Sequence, residues 1–276
     1  MPPSPARLWN VERIQALVKR SLGWVSELRP IPSASDRDLA AVRTTLVSPP
    51  APISIVIPTL NEVEQLPTVL AAIPTGIEVV VVDGGSTDRT DALANALGVR
   101  VIASPPGRSR QLNRGAAAAT GDILLFLHAD TRLPEGFDQA IRQTLAQPGV
   151  VAGAFRLAID SPRRSLRWVE WGVNLRSRWL QMPYGDQAIF LPAEVFHQLG
   201  GFPDLPMMED FELVRRLRKL GKVAIAPATV MTSDRRWRTL GVLRTTLTNQ
   251  LMIIGYFLGI DPQKLARWYR NLGKPR

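Results

Sequence analysis

Hydrophobic positions along the chain change their period in a regular order. Four short runs are almost continuously apolar: ISIVI at 53–57, IEVVVV at 77–82, VRVIA at 99–103 and DILLFL at 122–127. Between them lie stretches with helix-like spacing at 62–73, 88–97 and 108–119. Strand and helix alternating three times predict right-handed crossovers and a parallel sheet. Runs without polar alternation predict strands covered by helices on both faces. After residue 130 the alternation weakens, with a helix predicted at 134–146, an apolar run at 150–159, an aromatic-rich helix at 165–180 and a short strand at 188–192. This half is expected to be mixed.

Upstream, Val11, Ile14, Val18, Leu22, Val25 and Leu28 fall at helical spacing over 9–29, and Pro30 and Pro32 end that pattern. Ser48-Pro49-Pro50-Ala51-Pro52 reads as a linker. The predicted division is an extension at 1–50, an α/β domain at 51–240, and basic, apolar helices at 241–276. A length of 276 residues with 45% apolar content suffices for one substantial core.

Charge adds a second constraint. The formal net charge is +10, and it resides at the ends: residues 1–50 carry seven basic and four acidic side chains, and residues 230–276 carry nine and two. Basic ends around a neutral middle point to an anionic surface or ligand. No Lys/Arg-rich run interleaved with aromatics is present, which disfavours nucleic acid, so a diphosphate or an anionic membrane face fits better. With no cysteine, disulfides, thiolate metal sites and cysteine nucleophiles are excluded. A cytoplasmic protein is expected, peripheral at most on the inner membrane face, because no signal-like apolar segment is visible and the run 251–260 is about half the roughly 20 residues a spanning helix needs.

Three of the apolar runs deliver acids to their C-terminal ends, where open α/β sheets bind ligands. IPTLNE (57–62) carries Pro58, expected to stop the strand ladder, then Asn61, either a helix cap or a ligand contact, and Glu62. VVDGGSTD (81–88) ends a strand at Asp83, and Ser86 or Thr87 is expected to open a helix whose N-terminus favours anions. A carboxylate there can accept the imide N–H of uracil or a ribose hydroxyl. FLHAD (126–130) puts His128 and Asp130 two residues apart, on one side of an extended chain, where they could ligate a divalent cation. Glu209 and Asp210 open an amphipathic segment with Phe211, Val214, Leu217 and Leu220 on one face.

Taken together, IPTLNE, VVDGGSTD, GRSRQLNRG (107–115), LFLHADTRLP (125–134) and MMEDFEL (207–213) resemble the inverting family-two glycosyltransferases with the GT-A fold, over about 53–240. The resemblance implies a hexose transfer from a nucleotide-diphosphate sugar, UDP-linked by expectation, to a small or lipid-like acceptor. It implies that Pro58, Glu62 and Asp83 cradle the nucleoside, that Asp130 holds metal and diphosphate, and that Asp210 is the catalytic base. Arg110 and Arg236 are the arginines expected at the diphosphate; Asp186 and Gln187, with Glu209, are expected on the acceptor side. The resemblance implies a divalent cation, Mn²⁺ or Mg²⁺, at Asp130 and His128; His128 stands where the family has an acid, and imidazole ligation would favour Mn²⁺. The HAD variant, GDQAIF (185–190) and GGFPDLPMMED (200–210) are similar to a narrower bacterial group linked to arsenosugar assembly or carotenoid-acid glucosylation.

Trp168, Trp171 and Trp179 are expected to pack in the core, an apolar acceptor slot being the alternative. The segment 245–260 reads either as an interfacial helix on an anionic membrane or as a packed C-terminal helix. Two rivals stand beside the transferase. One is a nucleotide-sugar-binding or membrane-associated scaffold without turnover. The other is a sugar nucleotidyltransferase, disfavoured because PTLNE replaces a glycine-rich phosphate loop.

Overall fold

The computed structural model describes residues 51–272. The helix predicted at 9–29 lies outside them. The first half of the described chain alternates as the periodicity predicts: β1 (Ile53–Thr59), α1 (Leu66–Ala71), β2 (Glu78–Asp83), α2 (Thr90–Ala96), β3 (Arg100–Ala103), α3 (Arg108–Ala118) and β4 (Ile123–Phe126). The second half contains β5 (Thr131–Arg132), α4 (Phe137–Leu145), β6 (Val150–Asp160), α5 (Arg164–Leu180), a single 3₁₀ turn at Gly185–Gln187, β7 (Ile189–Pro192) and α6 (Ala193–Gln198). It ends with α7 (Glu209–Leu220), β8 (Lys222–Ser233), α8 (Arg235–Leu240), α9 (Val242–Phe257) and α10 (Pro262–Leu272).

All eight strands join one sheet in the order β3-β2-β1-β4-β7-β6-β8-β5. β3, β2, β1 and β4 are parallel, β7 runs antiparallel between β4 and β6, and β8 pairs parallel with β6 and antiparallel with β5. Ile55, Ile57, Val81, Leu125 and Leu127 are fully buried, as continuous apolar strands require. Gly115 lets α3 settle against Val56 and Val82, where a side chain would collide with both.

Three local expectations are corrected. Pro58 does not end the ladder, since Thr59 still pairs with Asp83 on β2. Val56 accepts from Leu127 on the β4 side, and alternation turns Pro58 the same way, beyond the end of β4 pairing, so its missing N–H leaves no partner unsatisfied. The first two helices start later than the spacing suggests, at Leu66 and Thr90, because residues 61–63 and 86–88 are occupied in tying two loops together. The three tryptophans of α5 are not in the core: Trp168 is 75% exposed, Trp171 60% and Trp179 77%.

Candidate active site

The first two loops lock each other. Asn61 adopts a left-handed φ of 58°, donates its backbone N–H to Ser86 Oγ at 2.9 Å, and accepts from Thr87 N–H at 2.8 Å. It bridges loops and caps no helix. The backbone N–H groups of Glu62 and Val63 reach Thr90 Oγ1 and Asp88 Oδ2 at 2.9 and 3.1 Å. Asp83, 7% exposed, accepts at Oδ2 from the N–H groups of Gly85 and Ser86 at 2.9 and 2.8 Å, and its Oδ1 takes the hydroxyls of Ser86 and Thr59. Burial alone would raise this carboxyl, but those hydrogen bonds outweigh it and hold Asp83 below the ordinary carboxylate value.

From β4 the chain turns instead of continuing extended. Thr131 N–H donates to the His128 carbonyl at 3.1 Å, so His128 and Asp130 sit in a turn and do not project as neighbours from one strand face. The Asp130 carbonyl accepts from Ser233 N–H at 3.0 Å, which fixes the turn to the end of β8. Burial raises the Asp130 carboxyl, while Arg235 and Arg108 pull the other way. Arg235, the first residue of α8, pairs with Glu62 at 2.7 Å and lies 3.9 Å from Asp130, so it links the first loop to the third. The second oxygen of Glu62 is buried without a hydrogen-bond partner.

A second constellation adjoins the first through Arg108, which opens α3. Its guanidinium contacts the ring Nε2 of His128 and pairs with Glu209 at 3.2 Å. A side chain at Gly185 would meet Arg108, and would lie 3.0 Å from His128 Nε2 and 3.1 Å from Asp210 Oδ2. The 3₁₀ turn therefore presses its backbone onto all three. Gly185 N–H donates to Asp210 Oδ2 at 2.6 Å and Phe211 N–H donates to Asp210 Oδ1 at 2.7 Å, which orients the carboxylate. Burial raises Glu209, partly offset by Arg108. Burial also raises Asp186, Arg176 opposes it, and Asp210 adds to the rise; the Asp186 Oδ1 is buried without a partner.

Asp130, Asp186, Glu209 and Asp210 are thus brought to one locality held by Arg108 and Arg235. Arg110 is not: its guanidinium forms a two-pronged pair with Asp204 at 3.1 Å on the surface. Arg236 lies 4.1 Å over the Tyr269 ring. Gln187 is fully buried, donating to the Phe155 carbonyl at 2.9 Å and accepting from Ser177 Oγ at 2.6 Å, so it braces the turn and offers nothing to a sugar. The guanidinium groups at this locality are those of Arg108 and Arg235, where the sequence suggests Arg110 and Arg236.

Whether a divalent cation fits can be judged from the donor set. Among the described residues no three His, Asp or Glu side chains converge as a metal-holding group. Asp130 fits as one oxygen ligand, its carboxyl being partly open with Arg235 3.9 Å away. His128 does not fit as placed, because the Arg108 guanidinium occupies its Nε2. A polar cleft of about 520 Å³ opens against Asp130, with Arg132, Arg163, Ser161, Ser233 and Arg238 among its walls. Asp83 is not part of that wall.

The model of glycosyl transferase family 2 matches residues 54–202. An uncharacterised glycosyltransferase of Mycobacterium tuberculosis is 42% identical over 85 residues, which is 30% of this chain and 39% of the relative. The alignment thus spans well under half of that relative's length. A mannosyltransferase from Pyrobaculum calidifontis, solved with GDP-Man and Mn²⁺, superposes with a TM-score of 0.56 at 21% identity, covering 86% of this chain and 72% of that one. S. aureus TarS, solved with UDP, gives a TM-score of 0.53 at 18% identity over 66% of this chain and 60% of that one. These two share the α/β fold, a mostly parallel sheet flanked by helices, that the GT-A resemblance implies. By the match of its sequence over residues 54–202, this chain belongs to glycosyl transferase family 2.

Proposed function

We propose that this protein transfers a hexose from a nucleotide-diphosphate sugar, UDP-linked, to a hydroxyl or carboxyl of a small or lipid-borne acceptor, with inversion at the anomeric carbon. The observation that carries the reading is Asp210. Its carboxylate is aimed by two backbone N–H groups and stands beside Gly185, Arg108 and His128 at the edge where β4 delivers Asp130.

In this reading Glu62, Asp83 and Pro58 form the nucleoside end, supported by the mutual locking of the first two loops. Asp130 would hold a divalent cation together with the donor's diphosphate oxygens, and the cation would offset charge on the leaving group. Arg108 and Arg235, both close enough to act electrostatically on Asp130, supply positive charge in the same place. Asp210 takes the acceptor's proton as the acceptor oxygen bonds to the anomeric carbon. The bond from that carbon to the diphosphate breaks with its electron pair leaving on the nucleoside diphosphate. One base suffices, because no covalent sugar intermediate forms. Asp186 and Glu209 border Asp210 on the acceptor side. Neither the family match nor the relatives carry the arsenosugar or carotenoid assignments, so the acceptor class rests on the surface described next.

The test is product stereochemistry with Asp210→Asn. Transfer with inverted configuration, reduced about 10²–10⁴-fold in the variant while donor affinity is kept, is the expected result. Retained configuration, or unimpaired turnover in Asp210→Asn, would overturn the mechanism. Unimpaired binding with no turnover in the unmodified protein would favour the non-catalytic binder.

A further inference from the structure

Among the described residues, two helices carry exposed apolar stripes. On α5, Trp168, Trp171, Leu175 and Trp179 recur at spacings of three, four and four, and all are exposed. On α9 and its end, Leu243, Leu247, Leu251, Ile254 and Leu258 do the same, and Leu258 is 75% exposed. The two helices touch, and α9 also packs against α10, where Trp268 is half exposed. Large apolar side chains gathered on adjoining helices mark an interaction surface.

Charge selects the partner. Residues 161–180 carry five basic and one acidic side chain, and residues 230–276 carry nine and two. Two copies meeting through this face would bring like charge against like charge, which disfavours a symmetric dimer. An anionic bilayer complements it: tryptophans settle at the headgroup level, leucines enter the acyl boundary, and arginines pair with lipid phosphates. Among the described residues no helix is long and apolar enough to cross a membrane, so the contact is lateral.

We infer that α5 and α9 form a docking face for an anionic phospholipid surface. The face is coupled to the site: α9 packs on α7 through Phe211, whose ring lies 5.6 Å from Tyr256 and 5.3 Å from Phe257. α5 braces the 3₁₀ turn, Ser177 donating to Gln187 at 2.6 Å and Arg176 lying 3.5 Å over the Tyr184 ring. Docking therefore sets Asp210 and the 185–187 turn beside the bilayer, where an acceptor held in the lipid phase can reach them. The step from surface to acceptor rests on the transferase reading; the docking face itself does not.

The experiment is co-sedimentation of the full chain with phosphatidylcholine vesicles, with and without a minority of phosphatidylglycerol. Binding to the anionic vesicles, weakened by high salt, is expected. The triple variant Trp168→Ser, Trp171→Ser, Trp179→Ser and the pair Leu247→Ser, Leu251→Ser should each lose about tenfold or more in vesicle affinity, with donor affinity by titration calorimetry unchanged. Equal affinity of all variants would overturn the inference. So would absence of vesicle binding, whether light scattering shows a dimer that the tryptophan variant dissolves or tryptophan emission shows the face already covered within one chain. Donor binding without vesicle binding would sink the docking face alone, and vesicle binding without donor binding would sink the transferase reading alone.

Discussion

At Gly185 any side chain must displace Arg108 and would crowd His128 and Asp210. Gly185→Ala is expected to destabilise the protein by about 1–3 kcal/mol and to lower transfer more than donor binding, read by urea unfolding and by separate binding and rate measurements. Stability and transfer both unchanged would mean the turn is looser than drawn. At this scale the acids were legible, since Asp83, Asp130 and Glu209-Asp210 are placed by strand ends and a helix start. The arginines were not. Arg108 and Arg110 differ by about 200° around a helix, so only one can face the site, and the spacing does not say which. Gln187 looked like a sugar contact because polarity alone does not reveal that its amide is consumed by Phe155 and Ser177.

The elements around the cluster set its pH response. Burial raises Asp186 and Glu209, so the folded protein binds more protons there than the unfolded chain does. Their ionisation costs stability as pH rises above the ordinary carboxylate value of about 4. Asp83 and Glu212 are held low, and their contribution is lost as pH falls below that value. On acidification from neutrality Asp186 and Glu209 therefore add stability while His128, kept neutral by burial, opposes them below about pH 6.5, and below about pH 4 the midpoint of thermal unfolding without ligand falls as Asp83 and Glu212 take up protons. Asp186→Asn should flatten the upper limb; an unchanged slope would remove Asp186 from the explanation. Among the elements, the βαβ half was readable because continuous apolar strands have few alternatives. β8 was missed: Pro227 argues against a central strand, and the fold accommodates it where β6–β8 pairing jumps from Ala154–Ile225 to Arg156–Thr229. The α5 stripe was legible as a face but not as an exposed one, since periodicity is the same whether core or lipid covers it.

For the whole molecule, one sheet gathers the ends of β1, β2 and β4 at one edge, and the second half folds α7, α8 and the 3₁₀ turn back onto it. Basic charge gathers on the helices that flank this assembly, consistent with a site working against an anionic surface. The proposed function requires that this edge bind a nucleotide sugar. Titration calorimetry with UDP-glucose, UDP-galactose, UDP-N-acetylglucosamine, GDP-mannose and dTDP-glucose, each with Mn²⁺, Mg²⁺ or EDTA, tests it most directly. One donor is expected to bind, with binding abolished in Asp83→Ala and Asp130→Ala and kept in Asp210→Asn. Binding of none of these donors under any of the three conditions would contradict it.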